Sequence, residues 1–200
     1  MRKRKQLFAK NDPPEVIELF SVIAAMVPDA GGFDGVVVRS VGTKYASENS
    51  FFSGAGAAKT GGRWNPVGLH AIYASLDVIT ATREAYQNFL TFGFSLSAIM
   101  PRVTAGATVS LGKVLDLTDK RVSAKLGFTI GELIEEDWKA IQIGGVESWT
   151  QAIGRGCSVS GLEGLIAPSA QSVDGKNIVI FPKRLAKTSR IEILGADQLP

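Results

Sequence analysis

The chain has 200 residues, 45% of them apolar and 20% charged, which suits one folded domain with an ordinary core and excludes general disorder. Its net charge of +3 comes from 22 basic and 19 acidic residues, and Arg2, Lys3, Arg4 and Lys5 carry four of the positive charges. The remainder is close to neutral and offers no broad basic face for nucleic acid. One cysteine, Cys157, and one histidine, His70, exclude an intramolecular disulfide and the usual zinc site, so no metal is expected.

Polar Gln6, Lys10, Asn11 and Asp12 interrupt any apolar stretch behind the basic start, unlike a secretory leader. No apolar run approaches the roughly 18 residues of a membrane span. The expectation is therefore a cytoplasmic protein with no membrane partner and no direct nucleic-acid partner.

Asp12, Pro13 and Pro14 ahead of Glu15 to Met26 predict a capped amphipathic helix, ended by Pro28 and the Gly31-Gly32 pair. Val36 to Arg39 reads as a short buried strand closed by a charge. Residues 42 to 62, rich in Gly, Ser and Ala and holding Phe51 and Phe52, read as a long loop of the functional or mobile kind. Ala71 to Ser75 is a strand, and Asp77 is placed to cap a helix running to about Leu90. Phe94 to Val103 and Ala107 to Leu117 read as two strands with a turn at Ala105 and Gly106. Thr118 to Ile143 is mainly helical with a break near Gly127, and Trp149 to Cys157 is a further short helix. Leu162 to Ala167, Asn177 to Phe181 and Arg190 to Leu194 are strand-like. Without a regular strand–helix–strand alternation, the fold class is α+β rather than a doubly wound sheet.

The densest local signal is GGRWNPVG at residues 61–68, leading into the strand that carries Tyr73. It reads as a loop whose glycines let backbone approach a ligand while Arg63 offers a planar fork to phosphate, or else as a Gly/Pro turn with Trp64 in the core and Arg63 in solvent. It lacks the GK[ST] ending of a nucleotide-triphosphate loop. Glu84 lies on the following helix, in Ala81-Thr82-Arg83-Glu84. By its neighbours alone it reads as a solvated charge. Arg39 after three valines calls for a buried partner. Ser169 follows Pro168, where a turn serine is common, and with no GxSxG elbow it is not expected to be a nucleophile. Trp64, His70 and Cys157 read as structural.

Taken together, GGRWNPVG, IYAS at 72–75 and the Ala-x-x-Glu helix resemble the central block of the RES family, named for an arginine, a glutamate and a serine. Val38-Arg39 is similar to the family's first arginine strand. Glu136-Asp137-Trp138, Trp149 to Gly154, Gly164 to Ala170 and Asn177 to Ile180 resemble its later segments. The resemblance spans about residues 33–185. It implies a RES domain over 31–200 and an extension with one helix over 1–30.

The resemblance implies an ADP-ribosyltransferase-like mixed fold, with small sheets forming an NAD-binding cleft and flanking helices. It implies a toxin that cleaves the nicotinamide–ribose bond of NAD⁺, with phosphate or water as acceptor, or alternatively one that transfers ADP-ribose to a protein. No cofactor is implied beyond NAD⁺ as substrate, with inorganic phosphate as co-substrate in the phosphorolytic case. The implied protein partner is an Xre-type antitoxin that blocks the cleft. In this reading Glu84 is the catalytic carboxylate, supported by Arg39 and Ser169, and Arg39, Arg63, Tyr73 and Ser169 bind NAD⁺. Tyr73 would stack on a base and keep its hydroxyl wet, or else be plain strand core. The reading from another class is a binding module without catalysis.

Overall fold

The computed structural model describes residues 12–91 and 101–200. Helix α1 (Pro14–Met26) leads into strand β1 (Gly31–Gly42), the short helices α2 (Glu48–Phe51) and α3 (Ala55–Thr60), and strand β2 (Ile72–Ser75). Helix α4 (Val78–Thr91) and the long strand β3 (Arg102–Asp116) follow. Short helices α5 (Lys120–Lys125), α6 (Ile130–Glu135) and α7 (Trp138–Ile143) precede α8 (Trp149–Ser160). Strands β4 (Gly164–Pro168), β5 (Lys176–Ile180) and β6 (Arg190–Ile193) complete the order, a mixed α+β arrangement.

Instead of several small sheets there is one six-stranded sheet, ordered β1-β2-β5-β4-β3-β6, in which β1 also pairs with β3. Five strands therefore close into a ring. Strand β3 makes closure possible: one edge pairs with β1 from Arg102↔Gly42 to Val114↔Gly31, while the other takes β6 at 107–110 and β4 at 114–116. The turn expected at Ala105 and Gly106 is absent, because both residues pair in the ladder opposite Arg39 and Val38. Gly106 suits that position, since a Cβ there would stand 3.2 Å from Leu194 Cδ1. The part of the expected strand over residues 94–100 lies outside the described residues.

Alternation along the strands feeds two cores, as period-2 side-chain placement requires. Val37, Ile72, Ala74, Val109, Leu111, Ile178 and Ile180 form one cluster. Leu115, Leu165, Ala167 and Val179 meet α1 and α8 through Phe20, Ile23, Ile153 and Cys157 in the other. The three consecutive valines of β1, Val36 to Val38, are not buried alike: Val37 is fully buried and Val36 is exposed, because β1 is a half-buried strand with alternating faces. The expected loop over 42–62 contains α2 and α3, and Phe51 is completely buried against Val41 and Ala46.

Asp77 accepts the Thr80 N–H at 2.8 Å at the start of α4, as its position predicts. Gly127, with φ of 84°, separates α5 from α6. The cap expected at α1 is not made: no side chain caps it, and Asp12 instead pairs with Arg155 of α8 at 2.8 Å. Arg155 also binds Glu147 and lies over the Phe20 ring, so α1 is clamped to α8 by charge as well as by apolar packing.

Candidate active site

The tight approaches around GGRWN explain its glycines. Gly61 has φ of 75°, a left-handed conformation, and a Cβ there would collide with Gln142 Oε1. A Cβ on Gly62 would stand 2.6 Å from the Tyr73 hydroxyl. Trp64 is buried scaffold, as expected, and its carbonyl abuts Gly154 of α8, where a Cβ would overlap it. Buried Gln151 donates to Gly62 O at 3.1 Å and to Gln142 Oε1 at 2.7 Å, while Gln142 donates to Thr60 O at 3.0 Å. Helices α7 and α8 thus set the shape of the turn.

Tyr73 corrects one expectation. Its hydroxyl is not in water: it donates to Asn65 Oδ1 at 2.7 Å and accepts the Trp64 N–H at 2.9 Å. Burial pushes its phenol up, so it stays neutral. Tyr73 still lines the cleft while its hydroxyl serves the scaffold.

Glu84 is half-buried on α4, and its Oε1 accepts the Ser169 hydroxyl at 2.6 Å and Asn177 Nδ2 at 2.7 Å. Both donors are themselves oriented. Ser169 Oγ accepts the N–H groups of Gln171 and Ser172, each at 3.1 Å, which leaves its proton for the carboxylate. Asn177 Oδ1 accepts the Ser75 hydroxyl at 2.7 Å; the two residues face each other across the β2–β5 ladder. Ser169 is therefore both the turn serine that its sequence suggests and a partner of Glu84. Asn177 and Ser75 were not singled out, although both lie in the motif segments. A polar residue at or next to the end of an otherwise apolar strand was the signal available.

Two cavities meet at Glu84, Tyr73, Thr60 and Asn177. One, about 630 Å³, is lined by Gly61, Gly62, Arg63, Trp138 and Gln171 among others. The second, about 780 Å³, is lined by Arg39, Ser40, Lys44, Tyr45 and Arg102. Arg39 and Arg63 thus lie in different lobes. Arg63 donates Nη1 to the carbonyls of Leu133 and Glu136, both at 3.0 Å, and Glu136 in turn uses its carboxylate to hold the first N–H groups of α8. Arg39 donates Nη1 to Tyr73 O at 2.5 Å, a backbone partner rather than a carboxylate, and its buried Nε has none among the described residues. Burial, and secondarily the neighbouring Arg102, pushes the Arg39 guanidinium down to about 10, so it remains a cation at neutral pH.

His70 contacts the Ser53 carbonyl, and Cys157 is fully buried with its thiol pushed up by burial; both belong to the scaffold. Among the described residues no group of three or more His, Cys, Asp or Glu side chains is placed to hold a metal ion, and no helix is long and apolar enough to cross a membrane.

The fold is similar to the crystal structure of the M.tuberculosis MbcT-MbcA toxin-antitoxin complex, with a TM-score of 0.68 and 20% sequence identity over 88% of each chain. No curated protein matches the sequence. The RES domain model matches residues 36–199, which takes in Arg39, Arg63, Glu84, Ser169 and Asn177. By that match over most of its length, the chain belongs to the RES domain family.

Proposed function

We propose that this protein is a toxin enzyme that cleaves the nicotinamide–ribose bond of NAD⁺ and transfers ADP-ribose to phosphate or water. The observation that carries the reading is the placement of Glu84, where the two lobes meet and two oriented donors fix its carboxylate. The ribose C1′–N bond breaks with its electron pair going to the nicotinamide nitrogen, which leaves neutral. The ribose develops oxocarbenium character, and a fixed carboxylate stabilises that positive charge. The acceptor oxygen then bonds to C1′; with water as acceptor, one proton is released to solvent. A leaving group that departs neutral needs no general acid, consistent with a cleft in which Glu84 is the one carboxylate among the described lining residues, beside arginines.

Membership of the RES family supports the toxin assignment, and the similar fold of a toxin–antitoxin complex supports a protein partner that occupies the cleft. An Xre-type antitoxin is the proposed partner. The test is incubation of purified protein with NAD⁺, with and without inorganic phosphate, with products separated by chromatography. A phosphorylated ADP-ribose that appears only with phosphate identifies a phosphorylase, and ADP-ribose in both conditions a glycohydrolase. Intact NAD⁺ in both overturns the proposal.

A further inference from the structure

The motif arginines do not account for the larger lobe. Arg63 lines the other one, with both Nη1 protons taken by backbone carbonyls. In the larger lobe Arg102 lies close enough to disfavour the charge of Arg39, and Lys44 lines the same cavity. Arg102 is aimed by Ser40: its Nε donates to Ser40 Oγ at 3.0 Å and its Nη2 to Ser40 O at 2.7 Å. Arg39, one residue earlier on β1, keeps a buried Nε with no hydrogen-bond partner among the described residues. Two fixed guanidiniums that line one cavity, one of them inside a buried polar deficit, suit a multiply charged oxyanion, whose charge offsets the like-charge repulsion on Arg39.

We propose that Arg102 is a ligand-binding residue that acts with Arg39 to hold a phosphate group in the larger lobe. The phosphate belongs either to the pyrophosphate of a dinucleotide or to inorganic phosphate. The assignment builds on the NAD⁺ reading of the cleft and names which end of it takes the anion. It replaces the expected Arg39–Arg63 clamp with an Arg39–Arg102 clamp, because those are the two arginines that share a cavity.

Equilibrium titration of the full chain with inorganic phosphate, ADP and, as an uncharged control, adenosine tests this without requiring turnover. Arg102→Gln is expected to weaken at least one of the two anions by about tenfold or more, the scale of a lost charged hydrogen bond, and to leave adenosine unchanged. Loss for ADP alone identifies the pyrophosphate, loss for phosphate alone identifies the free anion, and loss for both a shared site. Wild-type affinity for both anions in the variant, an equal loss for adenosine, or no binding of either anion to the unmodified chain overturns the assignment. Should Arg102→Gln lose its native thermal melt, Arg102→Lys decides, with a several-fold loss expected because the planar fork is gone; unchanged affinity again overturns it. A chain that binds ADP through Arg102 yet leaves NAD⁺ intact removes the proposed reaction and keeps the anion site. Turnover with unaltered anion binding in Arg102→Gln does the reverse.

Discussion

Glu84 is the residue on which the proposed chemistry turns. Glu84→Gln keeps the volume and can still accept from Ser169 and Asn177, but it removes the charge that the developing oxocarbenium needs. NAD⁺ turnover should fall on the order of 100-fold or more with an unchanged melt. Ser169→Ala and Asn177→Ala each remove one oriented donor while leaving the charge, so each should cost less, about tenfold. A Glu84→Gln enzyme within a few-fold of wild type in a steady-state assay would remove Glu84 from the catalytic role. Glu84 shows how far residue-level reading reaches: its neighbours in the chain mark it as a surface charge, and the donors Ser169 and Asn177 lie 85 and 93 residues away.

At the scale of elements, α8 is the template for the GGRWN turn. Gly154 lets the helix lie directly on the Trp64 carbonyl, and a Cβ there would overlap backbone that cannot rotate away. Gly154→Ala should destabilise by about 1–3 kcal/mol, the range for overpacking, and should also weaken NAD⁺ binding as the turn carrying Arg63 is displaced. A melting temperature at or above wild type would show that the helix shifts freely.

Glu163, just ahead of β4, ties β3 to the segment at 186–189. Its carboxylate accepts the N–H of Gly112 on β3, the N–H of Ala186 and the Ser189 hydroxyl, at 2.6, 2.6 and 2.8 Å. Burial pushes this carboxyl up, but the donors outweigh it and hold it below its ordinary value. Its stabilisation is therefore present above the unfolded-state pKa and is lost as pH falls through the lower folded-state pKa. Glu163→Gln should lower stability by about 2 kcal/mol at neutral pH, and the difference from wild type should shrink in acid. Thermal melts at neutral and acidic pH that differ by the same amount would rule this out.

At the scale of the whole molecule, α1 is structurally part of the domain although the family match begins at residue 36. Leu19, Phe20, Ile23 and Met26 are all buried, in the same core as Cys157 of α8 and Leu162 just beyond it. Burying each contributes about 2 kcal/mol, against a typical total stability of about 5–15 kcal/mol. Removal of residues 1–30 would also leave Arg155 without Asp12, a half-broken buried ion pair. The truncated chain should show no cooperative melt, whereas an independent extension would leave the transition near that of the full chain.

The sequence by itself determined the local chemistry: helix starts at Asp77 and near Trp149, the break at Gly127, the apolar strands, and the glycines of GGRWN. Those follow from capping, φ preference and periodicity, which act over a few residues. The motif order also placed Arg39, Arg63, Glu84 and Ser169 in one family. Only the tertiary structure decided that β3 runs straight through Ala105 and Gly106, because ladders on both of its edges outweigh a weak turn signal. The same long-range packing turned the Tyr73 hydroxyl inward, put Arg39 and Arg63 in separate lobes, and brought Asn177 to Glu84 and Arg102 to Arg39. Such pairings depend on closure of the sheet between segments far apart in the chain, and no local pattern of residues encodes that distance.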